Sequence, residues 1–174
     1  MMGSGKSTLA PPLADFLGRS WLDSDHEIEQ RSGCSIPELF ETRGEAHFRA
    51  LERSLVMELE AGDAVVALGG GAMVQPGISE RLLQSGTVVY LQAQPEVLLQ
   101  RVGDAGSRPL LQNLDPAERL QRIRALVEER SPVYAQAHVT VATDGLEPEN
   151  LQSVIEELAS QIARVSLQNA GDSE

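Results

Sequence analysis

The chain has 174 residues, a length that fits one domain with enough residues to bury a core. Its formal net charge is −12, from 26 acidic and 14 basic residues, which argues against a general nucleic-acid surface because such a surface needs a basic field. No apolar run approaches the roughly 20 residues that cross a bilayer, and the single cysteine, Cys34, excludes an intramolecular disulfide.

The chain opens with MMGSGKST, which contains most of a phosphate-binding loop. The full pattern is G-x-x-x-x-G-K-[ST], and residues 1–7 supply all of it except the first glycine. In such a loop, backbone N–H groups approach phosphate oxygens, the lysine contacts the β- and γ-phosphates, and the hydroxyl binds Mg²⁺. Lys6 is the only lysine beside 13 arginines, which indicates that a compact point charge is required here. The alternative is a glycine-rich, disordered start.

Two prolines interrupt the helix predicted after this loop. If the helix begins near Gly5, Pro11 and Pro12 lie beyond its first turn, where an interior proline removes a hydrogen bond and costs ~3 kcal/mol. We therefore expect a kink there, or a helix that restarts at Pro12.

Short apolar segments alternate with helical patterns along the rest of the chain. This alternation is typical of an α/β fold with a mostly parallel sheet. Four strands are predicted, at 21–23, 64–68, 87–91 and 139–142, and the second and third are continuously apolar, as in strands covered on both faces. The only tryptophan, Trp21, is expected in the core.

Helical patterns lie between these strands. One is predicted over 45–60, with apolar residues at 48, 51, 55 and 59 on one face, and Pro76 and Pro95 are placed to open two more. The segments DPAERLQRIRALVEER and EPENLQSVIEELASQIARV supply the last two. Residues 167–174 are predicted to be a polar tail, so we expect a single domain over residues 1–166.

Two carboxylates follow the first strand in LDSDHEIE. Asp23 and Asp25 leave the C-terminal end of the strand, so one can hold the water shell of a metal and the other can bind a substrate hydroxyl. The alternative is that the pair only caps a helix.

The segment GEAHFRALE places Arg49 and Glu52 one helical turn apart. They can form an intrahelical ion pair, and Arg49 can also bind a carboxylate. The alternative is a solvated helix face.

Glycines and arginines mark three further positions. In VVALGGGA, Gly69, Gly70 and Gly71 follow a buried strand and leave backbone N–H groups uncovered at the edge where α/β proteins bind ligands. The segment SRPLL at 107–111 is predicted to be a mobile flap from which Arg108 can reach phosphates, and EERSPVY places Arg130 near a helix end. Taken alone, each arginine is more typical of a protein surface.

Together these motifs, in this order, resemble the shikimate kinase family, which is related to the nucleoside monophosphate kinases. The resemblance rests on GSGKST, LDSDHEIE, GEAHFRALE, LGGGA, RPLL and RSPVY, and it extends from residue 1 to about residue 158. It implies an α/β, three-layer P-loop kinase fold with a five-stranded parallel sheet, a helical shikimate-binding region and a lid over about 103–116. It also implies ATP-dependent phosphorylation of the shikimate 3-hydroxyl, with ATP and shikimate as ligands and Mg²⁺ as cofactor.

The resemblance also implies roles for individual residues. The implied catalytic residues are Lys6, Asp25 and Arg108. The implied metal ligands are Ser7 and Asp23, with Asp23 acting through water. The implied shikimate contacts are Asp25, Arg49, Gly69, Gly70, Gly71 and Arg130. The implied ATP contacts are Gly3, Ser4, Gly5, Lys6, Ser7, Thr8, Arg101, Arg108 and Pro148, although some relatives carry a basic residue near the last position that this chain lacks.

The start of the chain differs from this family pattern. The strand before the phosphate loop is the first and central strand of the expected sheet, and we expect it to be missing from this chain together with the first loop glycine. We expect the sequence to begin at an internal methionine of a longer protein. The alternative is a truncated protein with unpaired neighbouring strands and reduced stability and activity.

Two other functions stay open at this point. One is phosphoryl transfer to another small molecule, as in gluconate or nucleoside monophosphate kinases, although Arg49, Arg130 and the glycine run argue against it. The other is a non-catalytic homologue that binds ligands without turnover. The phosphate loop favours the cytoplasm, and the small size and polar exterior favour a monomer without nucleic-acid or membrane partners.

Overall fold

The computed structural model describes residues 1–59, 64–103 and 108–171, with side chains described through residue 168. The helices in this part of the chain are α1 (Lys6–Leu17), α2 (Ser24–Ser32), α3 (Ile36–Glu58), α4 (Ile78–Ser85), α5 (Pro95–Val102), α6 (Pro116–Tyr134) and α7 (Leu151–Gly171). The strands are β1 (Ser20–Asp23), β2 (Ala64–Ala67), β3 (Val89–Gln92) and β4 (Val139–Ala142), and a 3₁₀ helix covers Pro109–Leu111. None of these helices is both long and apolar enough to span a membrane.

The four predicted strands are all present, with ends that shift by at most two residues. They pair in parallel, β1 with β2 and β3 with β4, so that Trp21 lies opposite Val65 and Tyr90 lies opposite Thr140. Within the described ranges no ladder joins the two pairs, so the structure shows two two-stranded sheets where one five-stranded sheet was expected. Strands β2 and β3 both line a cavity of about 490 Å³, together with apolar side chains of α1 and α7.

Helix α1 continues through Pro11 and Pro12, so the expected kink or restart is wrong. Each proline removes one helical hydrogen bond, but one face of α1 is buried and packs against α7 and the strands. A fully buried leucine contributes about 1.5–3 kcal/mol, so burial of this face offsets the loss. The buried residues of this face are Leu9, Ala10, Leu13 and Ala14.

Helix α3 starts well before the predicted helix at 45–60, and that prediction corresponds to the part after a kink at Gly44. A capping box fixes the start of α3, because the Ser35 hydroxyl accepts from the Glu38 N–H and the Glu38 carboxylate accepts from the Ser35 N–H at 2.8 Å. Phe40 and Phe48, on opposite sides of the kink, pack with ring centroids 5.0 Å apart. The kink therefore lets both halves of α3 contribute to one apolar cluster.

The prediction that Trp21 lies in the core is wrong, and the predicted tail begins within a helix. Trp21 is 47% exposed on β1, which pairs only with β2 among the described strands. The tail predicted from residue 167 is helical up to Gly171, although Leu167 is 75% exposed, and residues 172–174 lie outside the described part.

We predict that Gly44→Ala lowers the free energy of unfolding by about 1–3 kcal/mol, because Gly44 has φ 79° and ψ 166°, a region that residues with a Cβ rarely adopt. Chemical denaturation measures the change. Gly86→Ala is the matched control, since Gly86 also has open space around its Cα but an extended backbone at φ −176°. Equal stability of the two variants would contradict the assignment of strain to the kink.

Candidate functional site

A cavity of about 760 Å³ lies between the start of α1, the end of β1, and the facing sides of α3 and α6. Every residue that the sequence predicted for the site lines this cavity except Gly69. The motifs are far apart along the chain, so their convergence is a property of the fold. The chemical roles of these residues stay predictions.

The phosphate-loop residues 3–8 form one end of the cavity. Gly3 and Gly5 have φ of 69° and 92°, in the left-handed region that favours glycine, and Gly5 is the N-cap of α1. The first N–H groups of a helix lack helical partners and carry partial positive charge, so this end of the cavity suits an anion. Burial lowers the pKa of Lys6 to about 8, and its Nζ donates to the Met1 carbonyl.

Asp23 caps a helix, which is one of the two alternatives raised by its sequence motif, and its second oxygen faces the phosphate loop. Its Oδ1 caps α2 by accepting from the N–H groups of Asp25, at 3.0 Å, and His26, at 3.4 Å. Its Oδ2 accepts from the Ser7 hydroxyl at 3.2 Å, so the first turns of α1 and α2 meet here. Among the described residues, no group of three or more His, Cys, Asp or Glu side chains could hold a metal ion. A metal at this point would need further oxygens from a nucleotide or water.

Asp25 lies deeper in the cavity and faces Arg108. The Nη1 of Arg108 is 3.7 Å from Asp25 Oδ2, and the two side chains are 42% and 30% exposed. Asp25 Oδ1 is buried without a hydrogen-bond partner in the described part of the chain. Burial, and secondly the charge of Asp23, raise the pKa of Asp25. The predicted flap starts at Ser107, which is outside the described residues, and its other end is anchored by fully buried Leu111.

Arg49 forms the predicted ion pair within α3. Its Nη1 donates to Glu52 Oε2 at 2.7 Å, and its Nε and Nη2 donate to Glu45 Oε1 at 3.2 and 3.0 Å. Glu45 is 51% exposed, so its pair with Arg49 is screened and contributes little, whereas the Glu52 side chain is fully buried. The guanidinium also lies over the Phe48 ring, 5.1 Å from its centroid. Arg49 is thus fixed by its ion pair with buried Glu52, whereas a ligand can replace exposed Glu45.

The glycine run differs from its prediction at Gly69. The Gly69 N–H is not uncovered, since it donates to the buried Ser24 hydroxyl at 2.8 Å, and Gly69 does not line the cavity. Gly70 and Gly71 do line it. A Cβ at Gly71 would lie 2.4 Å from Arg49 Nη1, so the guanidinium packs directly on the glycine backbone.

Arg130 and Tyr134 converge on one backbone oxygen. Arg130 is 5% exposed and its Nη1 donates to the Gly70 carbonyl at 2.7 Å, while the Tyr134 hydroxyl donates to the same oxygen. Burial raises the pKa of Tyr134, which keeps this donor protonated. Sequence reasoning gave Tyr134 no role, although its position one helical turn after Arg130 in RSPVY is a signal for it.

Arg101 and Pro148 also line the cavity. The Nη2 of Arg101 donates to the Thr143 carbonyl at 2.6 Å, which connects α5 to the segment after β4. Leu146 of that segment also lines the cavity and lies 3.1 Å from the point where a Cβ of Gly5 would be. This segment therefore forms a partly apolar wall next to the loop.

A sequence model described as shikimate kinase matches residues 2–164. The chain belongs to the shikimate kinase family. The shikimate kinase of Synechococcus sp. strain CC9605 is 42% identical over 174 residues, which cover 99% of this chain and 85% of that protein. A shikimate kinase of Thermus thermophilus is 43% identical over 165 residues, covering 94% of this chain and 86% of that protein.

A solved structure is similar as well. The shikimate kinase of Acinetobacter baumannii, in complex with shikimate, superposes with a TM-score of 0.82 and 41% identity over 97% of this chain and 89% of that one. These matches confirm the resemblance to shikimate kinases and the α/β P-loop kinase fold. They do not support the expected truncation, because the match starts at residue 2 and extends over nearly the whole chain.

We predict that Gly71→Ala raises the KM for shikimate roughly 10- to 100-fold, because the new Cβ displaces the Arg49 guanidinium and small misplacements have effects of this size. Steady-state kinetics with each substrate varied in turn measures the change, and the KM for ATP is expected to stay the same. Gly86→Ala, which has no heavy atom within 4 Å of its new Cβ, is the control. An unchanged KM for shikimate in Gly71→Ala would show that Arg49 does not hold this substrate.

Proposed function

We propose that this protein transfers the γ-phosphoryl group of ATP to the 3-hydroxyl of shikimate, giving shikimate 3-phosphate and ADP. The observation that carries the proposal is the arrangement of Lys6, Asp25 and Arg49 around one cavity. Membership of the shikimate kinase family supports it, as does the similarity to a relative that was solved with shikimate.

The phosphates of ATP bind at the start of α1 in this proposal. Phosphoryl transfer depends mainly on positioning and on stabilising charge that spreads over the transferred group. Lys6 supplies one positive charge, and an anion beside its Nζ raises the pKa that burial has lowered. Arg108 supplies a second charge from the lid side, and Arg101 and Pro148 border the adenine.

Mg²⁺ fits the oxygen pair of Ser7 and Asp23. Asp23 Oδ1 is already used by two N–H groups, which leaves Oδ2, 3.2 Å from the Ser7 hydroxyl oxygen, for the ion or its water. Oxygen ligands with several retained waters are typical of Mg²⁺. Ser7 would bind the ion directly and Asp23 through water. The bound ion supplies charge neutralisation at the phosphate oxygens.

Asp25 receives the hydroxyl that is phosphorylated. Its unpartnered Oδ1 can accept a hydrogen bond from an incoming hydroxyl, and this orients the oxygen towards the phosphoryl group. Burial raises the pKa of Asp25, which makes the ionised carboxylate a stronger base for that proton. Asp25 thereby acts as the positioning group and proton acceptor.

Arg49 and Arg130 bind the carboxylate of shikimate. Arg49 can release the exposed Glu45 and turn the same donors to a ligand, and Arg130 has a buried Nε without a hydrogen-bond partner in the described part of the chain. Two guanidiniums match the fork geometry of a carboxylate. A nucleotide that accepts the phosphoryl group carries no carboxylate and does not require this pair. Gly70 contributes its backbone beside them, and Gly71 allows the close approach of Arg49.

The lid over about 103–116 closes over both substrates and excludes water, with Arg108 at its inner side. In this proposal the enzyme acts as a monomer in the cytoplasm, where its co-substrate ATP is available.

We further propose that the two strand pairs are parts of one five-stranded sheet, with an extended segment between β2 and β3. Each of these strands has one unpaired edge in the described part, and both line the apolar cavity of about 490 Å³. Residue-resolved hydrogen exchange tests this. We expect slow exchange for the amides of β2 and β3 that do not pair with β1 or β4, because a paired strand protects them. Fast exchange of these amides would show that both edges are open.

A coupled assay of ADP formation tests the function. We expect turnover with shikimate and Mg-ATP, little with gluconate or nucleoside monophosphates, and a phosphorus NMR signal for the monoester product. Asp25→Asn is expected to lower kcat by about 10²–10⁴ through loss of the proton acceptor, with exposed Asp15→Asn as a matched control.

The alternatives have distinct outcomes in this assay. Preferential turnover of gluconate or a nucleoside monophosphate would show that this molecule, and not shikimate, is the acceptor. Heat of shikimate binding without any phosphorylated product would indicate a non-catalytic homologue.

A further inference from the structure

Glu52 is a fully buried carboxylate whose donors come from two different parts of the chain. Its Oε2 accepts from Arg49 Nη1 at 2.7 Å and from Gln75 Nε2 at 2.7 Å, while its Oε1 has no partner in the described part of the chain. A buried charge is costly unless it is paired and hydrogen-bonded, so both donors matter to where this carboxylate lies. Burial raises the pKa of Glu52 for the same reason.

The backbone around Gln75 is fixed by turns that follow the glycine run. The Gln75 N–H donates to the Ala72 carbonyl at 3.2 Å, and the Gln75 carbonyl accepts from the Ile78 N–H at 3.1 Å. The next residue, Pro76, accepts from the Arg53 guanidinium of α3 through its carbonyl. These hydrogen bonds fix the backbone of Gln75 relative to α3, where its side chain donates to Glu52.

The glycine run contacts the Arg49 guanidinium directly, and Gln75 is connected to it through Glu52. Gly71 lies directly against the guanidinium, and Gln75 reaches it through the shared oxygen of Glu52. The terminal torsion of a glutamate is broad and soft, so one donor alone does not fix the direction of its carboxylate. A second donor at the same oxygen, the Gln75 amide, fixes the direction of the Glu52 carboxylate.

We propose that Gln75 is a positioning residue for shikimate: it orients Glu52 and thereby sets the place of the Arg49 guanidinium that binds the substrate carboxylate. This inference rests on the proposed function, since it takes Arg49 as a carboxylate ligand. Gln75 does not itself line the cavity and reaches it only through Glu52, which does.

Gln75→Met tests the inference, because methionine has a similar length and no donor. We expect the KM for shikimate to rise roughly tenfold, the size expected for one lost hydrogen bond to a charged group, with kcat and the KM for ATP nearly unchanged. The thermal midpoint is expected to fall as well, because Glu52 is buried and loses a donor, but the protein should stay folded at the assay temperature. Gln75→Glu should raise this KM further, since it removes the donor and adds a negative charge beside a buried carboxylate. Gln161→Met is the matched control, because Gln161 also donates to a glutamate, Glu157, at 3.1 Å, but on the exposed side of α7 and away from the cavity.

The methyl ester of shikimate separates failure of this inference from failure of the proposed function. The wild-type protein should have a much higher KM for the ester than for shikimate, and Gln75→Met should raise the KM for the ester less than twofold. If the wild type has equal KM values for both acceptors, Arg49 and Arg130 do not bind the carboxylate of shikimate, and this part of the proposed function is wrong. If the wild type discriminates but Gln75→Met binds shikimate normally, the positioning role of Gln75 is wrong.

The remaining outcomes also decide the question. Equal increases for shikimate, ester and ATP would overturn the inference, since they indicate a general loss of structure. Failure of both Gln75 variants to fold, with Gln161→Met intact, would do the same, because Gln75 would then support the fold rather than the position of Arg49.

Discussion

The site depends on the absence of side chains at Gly69 and Gly71. A Cβ at Gly69 would lie 2.4 Å from Glu52 Oε1 and 2.6 Å from Asp25 Oδ1, and a Cβ at Gly71 would overlap the Arg49 guanidinium. A carboxylate of α2 and the Arg49–Glu52 ion pair of α3 can therefore meet along a few residues of backbone that carry no side chains. Because Arg49 and Glu52 form an ion pair, a side chain at Gly71 that displaces the guanidinium would also disturb the buried carboxylate.

The charge distribution supports the same arrangement. The protein carries a net charge of −12, yet Lys6, Arg49, Arg101, Arg108 and Arg130 all line one cavity. An acidic exterior repels anions in general, whereas a recess with clustered cations and a helix N-terminus attracts them at one point. The negative charge of the surface and the affinity for anionic ligands are therefore compatible.

Much of the site could be predicted because its motifs are local. The phosphate loop, the pair Asp23 and Asp25, and the Arg49–Glu52 spacing each follow from chemistry within a few residues. Burial and long-range pairing could not be predicted in the same way. Pro11 and Pro12 remain helical because packing of the opposite face outweighs a local preference, and Gln75 has a partner 23 residues away that no local pattern indicates.

The contact between Arg108 and Asp25 has a consequence for how the two ligands influence each other. In the structure the arginine lies against the same carboxylate that is proposed to receive the acceptor hydroxyl. A hydroxyl that hydrogen-bonds Asp25 Oδ1 would withdraw charge from this carboxylate and weaken its attraction for the guanidinium, and the affinities for the two co-substrates would then be thermodynamically linked. Reciprocity then requires the nucleotide to strengthen capture of the acceptor by the same factor.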